Sequence, residues 1–408
     1  MSTQPLLSEE VKKEWDGIIT AEGVAPITDT TVRNNTIRLL ENTKKVLLQE
    51  GVTTANAAGY DPVLISMVRR TMPSLIANDI VGVQPMSGPT GLIFAMKAHY
   101  TGDAATGAEA FGTTAPNQAF AAKQATAAGE ALGTGQQVTE AAVAGTVTPV
   151  AQTNPWPEMS FAIEKVSVSA ETRALKAKYT QELAQDLKAI HGLDAESELA
   201  NILSGEVIGE INREIIGTVR SQAIASNATA WGGLTANTYR TVTDSDARWE
   251  VENYKALYMN IIREANAIAQ NTRRGIGNIL IVSPNVAAAL ESATKLDVAS
   301  IDGSLNTDFV GATFAGILGG RFKMYVDPYA VTDFVNVGYK GSNSIDAGIF
   351  YCPYVPLQMM KAQGEEDFQP RMGMKTRYGM AINPFVGATI AAGVGANNYY
   401  RDFLVSFD

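Results

Sequence analysis

A chain of 408 residues is too long for one ordinary core and predicts two or three domains. Its 46% hydrophobic content excludes wholesale disorder, while its 18% charged residues leave a polar surface made of Ser, Thr, Asn, Gln and Gly or covered by partners. The net charge of −10 excludes a surface that wraps nucleic acid through clustered Lys and Arg, but suits an acidic wall past which DNA slides.

The start, "MSTQPLLSEEVKKEW", has no basic region followed by an apolar core, so it does not read as a signal peptide. Val11, Trp15, Ile18 and Ile19 share one helical face, which Gly23 and Pro26 end. Ile37, Leu40, Val46 and Leu47 mark a second amphipathic helix. Residues 1–50 are too few for an independent domain, so their stripes are expected to need partners. At "LLQEGVTT" the chain changes within two residues from charged and helical to uncharged and small-sided. Residues 51–60 read as an extended arm, and Pro62 keeps Asp61 out of a helix.

"PVLISMVRRTMPSLIANDIVGVQP" predicts a short helix and then strand, and "GPTGLIFAMKAHY" a turn feeding a strand. Adjacent Arg69 and Arg70 face different directions, one suited to a buried ion pair and the other to solvent. Thr101 to Asn154 is Ala, Gly, Thr and Gln with few charges, a long loop of the kind that is usually functional. Phe161, Ile163, Val166 and Val168 restore a strand pattern. Leu175, Ala177 and Tyr179 alternate with Lys176, Lys178 and Thr180, so the segments flanking the loop are expected to pair as one long hairpin.

A long helix follows. Leu199, Ile202, Leu203, Val207, Ile211, Ile215 and Val219 line a stripe after Asp194, a suitable N-cap. Another helix runs from about Trp249 to Gln270, with Val251, Tyr254, Leu257, Tyr258, Ile261 and Ile268 inward. "GNILIVSPNVAAALES" is strand, turn and helix, and the chain from Phe314 onward is mostly strands. Helices early and strands late predict an α+β fold. No apolar run reaches the roughly 20 residues of a membrane span, and a soluble protein of a reducing cytoplasm is expected.

Familiar chemistry is missing. His99 and His191 have no Cys or second His at ligand spacing, so no metal site is expected. His191, before Gly192, reads as the last residue of a helix. Cys352, the single cysteine, is expected buried and inert. "GILGG" at Gly316 to Gly320 lacks the Lys and Ser/Thr of a phosphate loop and reads as a turn between strands. No catalytic or cofactor-binding residue is assigned. An arm and a hairpin that cannot bury themselves point to assembly.

"MVRRTMPSLIANDIVGVQPMSGPTGLIFAMKAHY" closely resembles the region after the maturation site in major capsid proteins of T-even-like, contractile-tailed bacteriophages. "NPWPEMSFAIEK", "ELAQDLKAIHGLDAESELANIL", "FAGILGGRFKMYVDPYA", "VGYKGSNSIDAGIFYCPYVPL" and "FQPRMGMKTRYGMAINPF" follow in the family's order. The resemblance implies the Hong Kong 97-type capsid fold. It would comprise a propeptide-like segment 1–50, an N-terminal arm 51–91 and an E-loop hairpin 92–179. A peripheral domain with a spine helix would span 180–250, an axial domain 251–354, and a return to the peripheral domain 355–408. Larger members carry a bulkier E-loop insertion; here the stretch is short and implies a looser hairpin tip.

The implied function is structural, with hexameric capsomers forming an icosahedral head around double-stranded DNA, assembled in the host cytoplasm. Implied partners are other copies, the vertex protein, portal, scaffold, prohead protease and decoration proteins, and no cofactor. A prohead protease in this family cuts after a glutamate in a Leu/Ile-x-Glu context. Leu48-Gln49-Glu50, ahead of Gly51, fits, as do Leu7-Ser8-Glu9, Leu39-Leu40-Glu41, Ile208-Gly209-Glu210 and Ile262-Arg263-Glu264. Only Glu50 lies where a helical segment meets a small-sided one, and proteases need accessible chain. Trp156 is either an interface anchor or a residue packed within the hairpin, and Arg173, Lys176 and Lys178 are either intersubunit ion-pair partners or a solvated face. Arg69 and Arg70 complete the candidate interface. The alternatives are a pentameric vertex protein of the same fold, a non-viral cage protein, and an α+β enzyme with a dispersed site.

Overall fold

A computed structural model describes residues 11–13, 15, 27, 29–49, 75–99, 159–226, 238–240, 249–293, 296–297, 313–343, 346–364, 368–386, 390 and 394–407. The N-terminal part holds α1 (Thr30–Gln49), α2 (Ala77–Ile80), β1 (Gly82–Val83) and β2 (Thr90–His99). Next come β3 (Ser160–Ser169), β4 (Glu171–Lys178), α3 (Gln181–His191), α4 (Ala195–Gln222), β5 (Ala223–Ala225) and β6 (Thr238–Arg240). They are followed by α5 (Glu250–Thr272), β7 (Ile279–Val282), α6 (Pro284–Ala293), β8 (Leu296–Asp297), β9 (Thr313–Leu318) and β10 (Phe322–Val326). The last strands are β11 (Phe334–Gly338), β12 (Ile349–Gln363), β13 (Pro370–Ile382) and β14 (Asn397–Ser406).

These strands form a large sheet of order β5-β14-β11-β7-β10-β9-β8, with β6 beside β14, and a small sheet of order β1-β12-β13-β4. Among the described residues β2 and β3 pair only with each other, as an antiparallel ribbon. The mixture of helices and sheets is the α+β class expected. Strand β7, "ILIV", is buried at every position because both faces of the large sheet are covered. Ile279 and Ile281 pack on one face with Phe334 and Tyr400. Leu280 and Val282 pack on the other with Leu257, Ile261 and Ile268 of α5 and Leu290 of α6.

Helix α4, about 42 Å long at 1.5 Å per residue, touches both sheets. Leu203, Val207, Ile211, Ile215 and Val219 are buried as expected, and so are Ile208 and Ile216. Ile202, expected in the stripe, is 65% exposed, because the small sheet covers only part of the first turns. Asp194 occupies the N-cap position, but its backbone carbonyl, not its side chain, accepts from Glu198 N and Ser197 Oγ. In α5, Val251 is exposed in the first turn while Glu264 and Ala265, unmarked by the pattern, are buried. Helix α3 ends at His191 with Gly192 left-handed (φ 67°), and of "GILGG" only Gly319 and Gly320 turn between β9 and β10, the first three residues being the end of β9.

Sheet membership cuts across the expected segment boundaries. The hairpin reaches only to Ser169; Glu171–Lys178 pairs with β13, so it belongs to the small sheet. Strand β14, expected to return to the peripheral domain, runs beside β11 in the large sheet, as do β5 and β6 beside β14. Long-range pairing of this kind leaves no trace in local periodicity. Cys352 is buried with Met86, Ile93, Val166 and Phe350, and burial pushes its thiol up to about 12.

Two adjacent residues of β14 point to opposite faces and bind a helix on each side. Arg401 Nη1 lies 3.5 Å from Glu264 Oε2 of α5, whose other oxygen accepts from Ser226 Oγ. Asp402 lies 4.0 Å from Arg220 Nε of α4, and the Arg220 guanidinium stacks 3.7 Å from the centre of the Phe334 ring. Burial pushes the Asp402 carboxyl up to about 6, a rise that Arg220 and Asn336 only partly oppose. A carboxyl raised on folding adds stability below its unfolded value near 4 and loses it as pH climbs through about 6. Asp402→Asn should therefore flatten unfolding stability between pH 4 and 7, by at most about 3 kcal/mol, as read from denaturant midpoints across that range.

Candidate assembly and processing surfaces

The ribbon alternates by strand geometry. Ile93, Val166 and Val168 turn inward and join Phe350, Cys352 and Ala381 of the small sheet. Leu92, Phe94 and Met96 turn outward, opposite Ser167, Lys165 and Ile163 in register, with Phe161 beside them. Phe161 and Ile163 are each 73% exposed. An ion pair of 2.7 Å between Lys97 and Glu164 decorates the inward face. The root of the ribbon is tight: a Cβ on Gly379 of β13 would stand 2.5 Å from the Ser169 carbonyl oxygen.

Of the residues singled out in the sequence, Arg173, Lys176 and Lys178 all lie on β4, the edge strand of the small sheet, and not on the hairpin stem. Lys176 and Lys178 are exposed. Arg173 is committed within its own chain. Its Nη1 donates to Glu210 and its Nη2 to Glu214, both at 2.5 Å, and its Nε donates to the Tyr378 hydroxyl at 3.0 Å. Tyr378 in turn donates to Glu214. Burial works against the guanidinium's charge, but the bond to Glu210 and those to Tyr378 and Glu214 outweigh it and raise its pKa. Glu210 and Glu214, one helical turn apart on α4, were a legible signal, since carboxylates at i and i+4 repel unless a cation sits between them. Trp156, Arg69, Arg70, Glu50 and Gly51 lie outside the described residues, and Leu48 lies in the last turn of α1.

Three of the competing Leu/Ile-x-Glu sites are closed by structure. Leu39 and Leu40 of the Glu41 site are buried within α1, Ile208 of the Glu210 site is buried within α4, and Glu264 itself is buried in α5. The expectation that residues 1–50 need partners is corrected for the part described. Trp15, Ile37, Leu39 and Leu40 are buried in the same core as Leu75, Ile80, Val83 and Tyr351 of their own chain. Asn42, which the periodicity did not mark, donates from Nδ2 to the Met86 carbonyl at 2.7 Å and to the Tyr354 carbonyl at 3.3 Å. Among the described residues no group of three or more His, Cys, Asp or Glu is placed to hold a metal ion. No described helix is long and apolar enough to cross a membrane.

The model of the family "Major capsid protein Gp23" matches residues 57–405. The chain belongs to this family. The major capsid protein of Vibrio phage KVP40 is 40% identical to it, covering 88% of this chain and 85% of that protein. That of Salmonella phage ViI is 37% identical, covering 94% and 92%. The capsid vertex protein of Enterobacteria phage T4 is 27% identical over 56% of this chain, a weaker and shorter likeness. The solved capsid of Myoviridae phage XM1 covers 80% of this chain at 10% identity with a TM-score of 0.40.

Within this family member, Arg173 couples β4 to α4. Arg173→Ala should cost about 1–2 kcal/mol, a partly exposed but doubly bonded guanidinium, and Arg173→Lys should recover less than half of it because one ammonium cannot span both carboxylates. Denaturant unfolding of the two variants beside the parent checks the order.

Proposed function

We propose that copies of this chain build the shell of a tailed-phage head, as hexameric capsomers that close into an icosahedron around double-stranded DNA. The observation that carries the reading is the ribbon of β2 and β3, whose outer face of Leu92, Phe94, Met96, Phe161 and Ile163 is apolar and exposed among the described residues. A two-stranded ribbon is marginal by itself, and a contiguous exposed apolar face marks an interaction surface. In this reading the ribbon is the E-loop, and the small sheet with α3 and α4 is the peripheral domain. The large sheet with α5 and α6 is the axial domain, and residues 51–89 are the arm. Many modest contacts per copy then give a stable closed shell, because each copy is held by several neighbours at once.

Trp156, Arg69, Arg70, Lys176 and Lys178 are the proposed contact residues, while Arg173 serves by holding β4 in place. Processing by a prohead protease after Glu50 belongs to the same reading, with Leu48 as its recognition residue. Scaffold, portal, vertex and decoration proteins are the proposed further partners, and no catalytic role is assigned to any residue. Identity of 37–40% over most of the chain to major capsid proteins, against 27% over 56% to a vertex protein, favours the hexamer over the pentamer.

Co-expression with scaffold and protease, followed by electron microscopy and size-exclusion chromatography, tests this. The parent should give shells or capsomers. The double variant Phe161→Asp, Ile163→Asp should keep its circular dichroism and elute as a monomer. A double variant that assembles like the parent would refute the ribbon's role, and particles with an intact N-terminus by mass spectrometry would refute the processing.

A further inference from the structure

Strand β14 sends one charged residue to each face of the large sheet, and the two faces treat them differently. On the α5 face Arg401 Nη1 meets Glu264 Oε2 at 3.5 Å, and the other Glu264 oxygen accepts from Ser226 Oγ. On the α4 face Asp402 Oδ1 and Arg220 Nε stand 4.0 Å apart, beyond hydrogen-bond length. Asn336 shares that face, because it lies directly opposite Asp402 in the pairing of β11 with β14. Its amide is close enough to favour the Asp402 carboxylate. Arg220 Nε, Asp402 Oδ1 and both polar atoms of the Asn336 amide are buried, and none has a hydrogen-bond partner among the described residues. The Arg220 guanidinium cannot simply swing across. It is stacked 3.7 Å from the centre of the Phe334 ring, two residues before Asn336 on the same face of β11. Ile281, beside Asn336 on β7, and Val219, beside Arg220 on α4, belong with Phe334 to one buried apolar cluster, so the four atoms have no route to bulk solvent.

Leaving buried polar atoms bare costs more than immobilising one water. The donors and acceptors decide what fits. Arg220 Nε and Asn336 Nδ2 can only donate, while Asp402 Oδ1 and Asn336 Oδ1 accept. A cation would lie against the guanidinium, and an anion against the carboxylate. A neutral molecule with both protons and lone pairs suits both sides, and a 4.0 Å separation is one that a single water bridges with two bonds of about 2.8 Å. We infer that this cluster is a built hydration site, holding one internal water that accepts from Arg220 Nε, donates to Asp402 Oδ1 and makes its third bond with the Asn336 amide. Three bonds are the usual complement of a buried water. The large sheet is thus joined to α4 through a water, and to α5 by a direct ion pair. The difference has a mechanical consequence. A direct pair is lost when its groups separate, whereas a bridging water moves with them and keeps both bonds. Helix α4 can therefore shift slightly over the large sheet with its polar link intact. The site rests on the geometry of one chain, so it stands whether or not the copies assemble as proposed.

The test is a density map of the full chain, from crystals or assembled particles, at a resolution that shows ordered waters. The expected result is one peak within hydrogen-bond distance of Arg220 Nε and Asp402 Oδ1, on the side of the Asn336 amide. Asp402→Asn, which keeps a polar group in place, should retain the peak. Asn336→Leu, of similar shape but without the amide, should lose most of its occupancy. A parent map with Arg220 and Asp402 in direct contact, or with their separation unchanged and no peak, would overturn the site. A peak that behaves as an ion, by anomalous scattering or by dependence on the salt used, would overturn its assignment to water. A peak untouched in Asn336→Leu would remove Asn336 from the site, and if that variant does not fold the parent map alone decides.

Discussion

The architecture depends on one helix being tied to two sheets at once. Just past the middle of α4, Arg173 reaches from β4 and occupies the gap between Glu210 and Glu214. In its last turn, Arg220 leaves the helix for Asp402 and the face of Phe334 in the large sheet. Between these points the helix buries Ile211, Ile215 and Val219. No described strand is shared between the two sheets, so α4 and the packed core of Ile279, Ile281, Ile349 and Tyr351 together set their relative placement. A helix is a stiff element along its axis, and guanidinium groups make directional, planar contacts that hold orientation as well as distance.

The sequence announced elements better than it announced partnerships. The stripe of α4, the all-apolar β7 and the turn at Gly319 and Gly320 were readable because helix period, strand burial and glycine chemistry are local. What failed was non-local. Ile202 and Val251 satisfied the helical spacing, yet nothing in the spacing says how far a facing sheet extends. Lys176 and Lys178 alternated correctly, yet the strand that carries them left the hairpin for β13 at Ala170. The buried Glu264 and Asp402 were invisible because their partners, Arg401 and Arg220, lie more than a hundred residues away along the chain in each case. Of the candidate contact residues, left open between an intersubunit ion pair and a solvated face, Arg173 pairs inside its own chain with Glu210 and Glu214, a pairing that no local pattern names. The carboxylates it meets are on α4 of its own chain.

A subunit carrying −10 repels its copies at long range, whereas the outer face of the ribbon attracts at contact. The first effect is screened within a Debye length of about 8 Å at physiological salt; the second is not. Association under this balance is decided by whether apolar surfaces can meet in register, not by net charge. Lys97, Glu164 and Lys165 interrupt the ribbon with charge, a common device for keeping a strand pair from indiscriminate pairing.

Cys352, set down among Phe350 and Ala381 at the base of the ribbon, has a use outside the biology. The chain has no second cysteine, and this one is 1% exposed with a thiol held far from ionisation. Thiolate is the reactive form, so the native protein is silent to maleimides and similar reagents. A single cysteine engineered onto an exposed site such as Val331 would give every copy one addressable handle. A dye or ligand attached there would be displayed once per subunit, at a spacing dictated by the particle.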